Sequence, residues 1–179
     1  IVEAGSKAKG WSAGDRVALC PMLGCETRGI KQPCRSCRLG LYSNCENCAE
    51  GDIAPGMFTG ICSDINGGFA PYLVAHKSQL FRIPGNMTFG SAVLTEPLAV
   101  SLQAVLDNRP GHDESILVIG GGVIGLFVVK AIRGLGIPCR ITVADPSPFA
   151  AEYAMNSGAD RVITPDLIGA AVEITGGRD

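Results

Sequence analysis

Glu114-Ser115-Ile116-Leu117-Val118-Ile119-Gly120-Gly121-Gly122-Val123-Ile124-Gly125 is the stretch on which the reading of this chain turns. Its apolar, β-branched run predicts a buried strand, and that strand ends directly in a G-x-G-x-x-G turn at Gly120, Gly122 and Gly125. Beyond it Ile124, Phe127, Val128, Ala131, Ile132 and Leu135 recur at three- and four-residue steps, one apolar stripe on a helix. A second apolar strand, Ile141-Thr142-Val143-Ala144, delivers Asp145 twenty residues past Gly125. Glycines at these positions let the backbone turn sharply and approach a pyrophosphate seated on the amide-rich, dipole-positive start of the helix. Asp145 then stands where it can accept hydrogen bonds from an adenosine ribose. Glycine triplets are also common punctuation, and Asp145 could simply cap the next helix. With strand, helix, second strand and acid in register, the reading is a dinucleotide site at Gly120, Gly122, Val123, Ile124, Gly125 and Asp145.

At 179 residues, 46% of them hydrophobic, the chain has room for one good domain or two small ones. A formal net charge of −2 and a pI near 5.7 supply no basic field for nucleic acid. No run of 18 consecutive apolar residues predicts a membrane span, and no basic-then-apolar leader appears. The expected setting is the cytoplasm, where close-spaced cysteines more often hold metal than form disulfides. Ile1-Val2-Glu3-Ala4-Gly5 reads as the end of a strand running into a turn. A helix-like stretch precedes Gly176-Gly177-Arg178-Asp179, and only three parallel strands are expected, against about six in a full dinucleotide domain. The expectation is a fragment cut at both ends.

Residues 1 to about 90 lack helical periodicity and are rich in Gly and Pro, which predicts a β-rich module. Arg16-Val17-Ala18-Leu19, Gly67 to Ala75 and Gln79 to Pro84 are its expected strands. Ser12, Gly14, Asp15 and His76 are read as turn residues. Six cysteines fall in one loop: Cys20, Cys25, Cys34, Cys37, Cys45 and Cys48. Cys34-x2-Cys37 lets two thiolates grip one ion across a tight turn, and Cys45 can close the cage from the other side. A structural zinc takes four such sulfurs in a tetrahedron at about 2.3 Å. The expected ligands are Cys34, Cys37 and Cys45, with Cys25 placed ahead of Cys48 as the fourth. Disulfides, inert thiols and a nucleic-acid-binding zinc ribbon are the competing readings, the last short of cations beyond Lys31, Arg35 and Arg38.

From Ser91 the pattern turns helical, with Glu96-Pro97 interrupting it, so the helix is expected to start near Pro97, where proline costs little. Glu96 favours a helix dipole with no further function. Its place between a β-rich module and a dinucleotide unit raises a second reading, a group at a domain junction, where clefts form.

Gly14-Asp15-Arg16-Val17, the Cys34-x2-Cys37-x7-Cys45 loop, Gly67-Gly68-Phe69-Ala70, Glu96-Pro97-Leu98-Ala99 and the glycine turn stand in the order of the zinc-containing medium-chain dehydrogenases, which the chain resembles along nearly its whole length. The Glu-Pro junction resembles the polyol, sugar and threonine dehydrogenase branch. The resemblance implies a chaperonin-10-like (GroES-like) catalytic-domain portion over residues 1–95, followed by the first half of a Rossmann dinucleotide-binding domain over 96–179, an α/β architecture. It implies hydride transfer between a secondary alcohol and a nicotinamide, with a Lewis-acid zinc on the hydroxyl. It implies Glu96 as a catalytic ligand of that zinc, whose usual Cys and His partners belong to motifs that would precede Ile1. Two departures stand out. Members with a structural lobe often carry a cysteine where this chain has Lys31, and their Gly-Gly-Phe-Ala motif usually runs on into Glu-Tyr, where here Pro71 precedes Tyr72.

The leading expectation is a zinc- and NAD-dependent dehydrogenase of small-molecule alcohols such as polyols, sugars or amino alcohols, a homodimer or homotetramer with no nucleic-acid or membrane partner. The alternative from another class is a non-catalytic zinc- and dinucleotide-binding module. A zinc-free quinone reductase has no use for the cysteine loop or Glu96. NAD is favoured over NADP because the Asp145 carboxylate would repel a 2′-phosphate and Pro146-Ser147-Pro148 supply no cation to offset it.

Overall fold

A computed structural model describes residues 1–164, and the chain falls into two compact units, Ile1–Ala92 and Val93–Asp179. The helix-like stretch before Gly176 lies outside the described residues.

The first unit is mostly turns. Strand β1 (Val17–Leu19) pairs antiparallel with β2 (Leu80–Arg82), Val17 opposite Arg82 and Leu19 opposite Leu80. Between them lie one short helix, α1 (Arg35–Arg38), and 3-10 turns at Tyr42–Asn44 and Lys77–Gln79; helix α2 (Phe89–Ala92) follows β2. Asp15 behaves as a turn residue: its carboxylate accepts from the Ser12 N–H at 2.8 Å and pairs with Arg82 at 2.9 Å. His76 is a turn residue too, its Nδ1 accepting from the Ser78 N–H to cap the second 3-10 turn.

The strand expected over residues 67–75 does not form. A strand needs a partner for every second N–H and C=O, and among the described residues none pairs with this segment. Its direction is set instead by the Asn66 side-chain amide, which donates to the Tyr72 carbonyl at 2.6 Å, and Phe69, Tyr72 and Val74 stand exposed.

A chain so poor in ladders must satisfy its backbone in other ways, and Arg28 meets much of that need. It is 0% exposed, and its guanidinium donates to the carbonyls of Glu50 (2.6 Å), Gly56 (3.1 Å), Ile53 (3.0 Å) and Ala54 (2.8 Å). Buried Gln79 plays a matching part, donating to the carbonyls of Cys20 and Met22 and to Thr59 Oγ1.

The second unit is a three-stranded parallel sheet in the order β3 (Ser115–Ile119), β4 (Arg140–Ala144), β5 (Arg161–Ile163). Helix α3 (Thr95–Asp107) precedes it, α4 (Val123–Gly134) joins β3 to β4, and α5 (Pro148–Ser157) joins β4 to β5. Val118, Val129, Ile132, Ile141, Val143 and Ala154 form its core, drawn from strand and helix faces alike. Helix α3 starts two residues before Pro97, which occupies the first turn where its missing N–H would have no intrahelical partner anyway. Buried Ser101 ties α3 to the start of α4, its hydroxyl donating to the carbonyls of Ile124 and Pro97 at 3.1 Å each. The stretch Phe89–Asp107, with a mean hydropathy of 1.4, is long and apolar enough to cross a membrane by length and composition alone. It is broken by a turn between α2 and α3, and Val105 belongs to the core formed with α4 and the sheet.

Replacing Arg28 by Met strands four partly buried carbonyls at once. Arg28→Met is expected to lower the unfolding free energy by about 3 kcal/mol in chemical denaturation. Arg28→Lys should recover less than half of this, because a compact ammonium cannot reach four separated acceptors.

Candidate metal centre and dinucleotide turn

Four thiols converge in the first unit. Cys25 precedes a turn closed by the Ile30 N–H on its carbonyl, Cys34 caps α1, Cys37 lies within α1, and Cys45 follows the 3-10 turn Tyr42–Asn44. Their Sγ atoms all lie within 4.8 Å of one another, with Cys25 and Cys45 3.7 Å apart. Four sulfurs at tetrahedral bonds of about 2.3 Å to one zinc would stand about 3.8 Å from each other, so the cage fits that ion after a small contraction. Cys25, Cys37 and Cys45 are buried and Cys34 is half-buried; all eight cysteines are free. Cys48, the alternative fourth ligand, and Cys20 fall outside the group. Lys31 is exposed.

The sulfurs differ electrostatically. The Cys37 N–H donates to Cys34 Sγ at 3.4 Å and pulls the Cys34 thiol down to about 7. Burial pushes Cys37 up to about 12 and raises Cys45 as well. The cage therefore offers one easily formed thiolate, Cys34, and two thiols, Cys37 and Cys45, that hold their protons until something replaces them. A divalent cation would do so, releasing protons as it binds.

In the second unit the glycine turn has the form the spacing predicts. Gly120 adopts φ +96°, a left-handed conformation that side chains rarely reach, and its N–H bonds the Ala144 carbonyl at 2.8 Å. A Cβ on Gly125 would lie far inside contact distance of the Gly120 carbonyl oxygen, and one on Gly121 would come within 3.0 Å of the Ala150 Cβ. Gly122 differs: nothing lies within 4 Å of where its Cβ would stand, and no side chain caps α4 there. That open space in front of helical N–H groups fits a pyrophosphate. Val123 and Ile124 are exposed beside it.

Asp145 sits at the end of β4, half-buried, next to this turn. Its two oxygens accept from the Ser147 N–H (2.8 Å) and the Gly121 N–H (2.7 Å), and these bonds, Ser147 first, hold its carboxyl below the usual range. It is thus charged and oriented before any ligand arrives, with lone pairs left for ribose hydroxyls.

Glu96 lies exposed in the first turn of α3. Among the described residues the four-cysteine cage is the group of three or more ligand-type side chains that converges, and Glu96 is not in it. Arg28 and Asn47, the latter with its amide nitrogen 3.4 Å from Cys25 Sγ, carry no signal in the sequence, and Gln79 reads there only as the start of a strand. A polar residue inside an aperiodic loop carries no pattern that separates it from a surface residue.

Residues 1–85 match the family model described as the alcohol dehydrogenase GroES-like domain. An L-idonate 5-dehydrogenase of Vitis vinifera is 32% identical over 91% of this chain and 40% of its own length. An L-threonine 3-dehydrogenase of Pyrococcus horikoshii is 31% identical over 99% of this chain and 47% of its own. A solved dehydrogenase from E. coli CFT073, complexed with NADH, superposes with a TM-score of 0.76 at 26% identity, covering 97% of this chain and 47% of that one. With the GroES-like match in the first unit and a parallel half-sheet in the second, the chain is similar to alcohol and polyol dehydrogenases of the medium-chain kind along nearly its whole length. It spans under half the length of these curated relatives.

The thiols give a pH dependence whose sign can be worked out. Cys37 and Cys45 have folded pKa values above the ordinary 9.0, so the unfolded chain loses those protons first and the thiol form favours the folded state. In chelator-treated protein this contribution is complete below about pH 9 and should be lost as pH rises from 9.0 toward the 12 of Cys37. Cys34 acts in the opposite sense, its contribution present above pH 9.0 and lost as pH falls through about 7. Chemical denaturation of the metal-free chain between pH 9 and 12 should show stability falling, and a Cys37→Ser variant should flatten that slope.

Proposed function

We propose that this chain is part of a zinc-dependent dehydrogenase that moves hydride between a secondary alcohol, of the polyol, sugar or amino-alcohol kind, and NAD. The observation that carries the reading is the pairing of a converging four-thiol cage in one unit with a charged Asp145 beside an open glycine turn in the other. L-idonate and L-threonine dehydrogenases among the relatives supply the substrate class.

In this reading Cys25, Cys34, Cys37 and Cys45 hold a structural zinc. Such an ion, fully occupied by protein sulfur, supplies a cross-link rather than Lewis acidity. The start of α4, reached over Gly120, Gly122, Val123, Ile124 and Gly125, binds the pyrophosphate, and Asp145 accepts from the adenosine ribose. The nicotinamide, when bound, supplies the hydride acceptor. Glu96 is the residue that the family likeness ties to a reactive zinc. No other donors converge on it among the described residues, and no step is assigned to it. The 179-residue chain is accordingly expected to bind zinc and dinucleotide without oxidising alcohols. The reading extends to a small-molecule alcohol substrate, assembly as a homodimer or homotetramer, and a cytoplasmic setting without nucleic-acid or membrane partners, in keeping with a net charge of −2.

Metal analysis of the purified chain should give about one zinc, released by chelation with loosening of residues 20–48. Titration with each cofactor should show NAD bound at least about ten times more tightly than NADP, since a 2′-phosphate set against the Asp145 carboxylate typically costs a few kcal/mol. Asp145→Ala should move the ratio of the two affinities toward NADP. Equal affinities in the unmodified chain would overturn the NAD assignment, and a chain free of both zinc and dinucleotide affinity would overturn the proposal.

A further inference from the structure

The cage sulfurs are not held by covalent geometry alone; three of the four face N–H donors. Cys25 Sγ is approached by the Cys34 N–H at 3.3 Å and by the Asn47 side-chain amide at 3.4 Å. Cys37 Sγ is approached by the Cys25 N–H at 3.5 Å, and Cys34 Sγ by the Cys37 N–H at 3.4 Å. Backbone donors come with the fold. Asn47 is different, because its side chain alone among these donors depends on residue identity.

Cys25 is 0% exposed and has no water to stabilise a negative sulfur. Four thiolates around a divalent ion leave a net charge of −2, and a buried charge requires donors that disperse it. Groups outside the ligand set that orient and polarise ligands typically set affinity by a factor of 10–100.

From this geometry, and resting on the zinc reading of the cage above, we infer that Asn47 is a positioning residue of the metal centre: its carboxamide holds the Cys25 thiolate and slows release of the ion. It touches no metal itself and acts through sulfur.

Cobalt(II) added alone to the whole, metal-stripped chain gives the test, since its sulfur-to-metal charge-transfer bands report the electron density on each thiolate. An N–H···S bond lowers the sulfur donor orbital. Its loss in Asn47→Ala should move the bands to longer wavelength, and Asn47→Asp, nearly isosteric but with a carboxylate facing sulfur, should move them further. Zinc loaded into either variant should pass to a competing chelator about tenfold faster than from the unmodified chain. The control is Glu46→Ala, which removes the carboxylate bonded to Ser36 N and Oγ at 3.0 and 2.9 Å without touching a sulfur, and should leave the bands in place. Unshifted bands and unchanged release in both Asn47 variants, with thiolate bands present in the unmodified chain, would overturn the role of Asn47 alone. Failure of the unmodified chain to form cobalt–thiolate bands would overturn the zinc reading and this inference with it.

Discussion

At residue 125 a carbonyl oxygen stands where a side chain would begin. Because Gly125 has no Cβ, the first turn of α4 can lie against the Gly120 carbonyl and Val118, and the strand can become a helix within a few residues. Much of the second unit follows from that close approach. It sets α4 on the sheet so that Val129 and Ile132 meet Ile141 and Val143, and it presents the uncapped helix start beside the end of β4. A methyl group at this point would force strand and helix apart.

The same approach explains the two parts played by Asp145. A residue at the end of β4, one strand over from the turn, falls within hydrogen-bond reach of Gly121 only because β3 and β4 are parallel and in register, Ile119 opposite Ala144. The carboxylate thus braces the turn and the start of α5, and presents a fixed negative charge beside the open glycine turn. Preorganisation of this kind lets one side chain discriminate by charge without first having to be ordered.

The first unit solves a different problem. Its long loop has almost no ladder to satisfy backbone groups, so the chain recruits side chains from inside. Arg28 gathers four carbonyls, Gln79 three oxygens, and the cage sulfurs accept amide hydrogens that would otherwise have no partner. In such a lobe a metal site and a fold are one object. The thiols converge because the loop is held, and a bound ion would hold the loop.

The sequence by itself determined what local patterns encode. The strand, glycine turn and helix around Gly120–Gly125, the acid at Asp145, the separate strands near Val17 and Leu80, and the Cys34, Cys37, Cys45 grouping were all legible because each depends on neighbours in the chain or on a fixed periodicity. Tertiary structure decided the rest. Gly67 to Ala75 reads like a strand yet is none, since pairing depends on a partner elsewhere in the chain. Pro97 lies inside the helix and not at its first residue, because a first turn tolerates proline at more than one position. Cys25 joined the cage in preference to Cys48, although Cys48 lies nearer to Cys45 in sequence. The buried Arg28 and Gln79 and the half-buried Asn47 read as ordinary polar residues until the backbone closed around them. Burial and convergence are properties of distance in space, and an aperiodic loop leaves no trace of them in residue order.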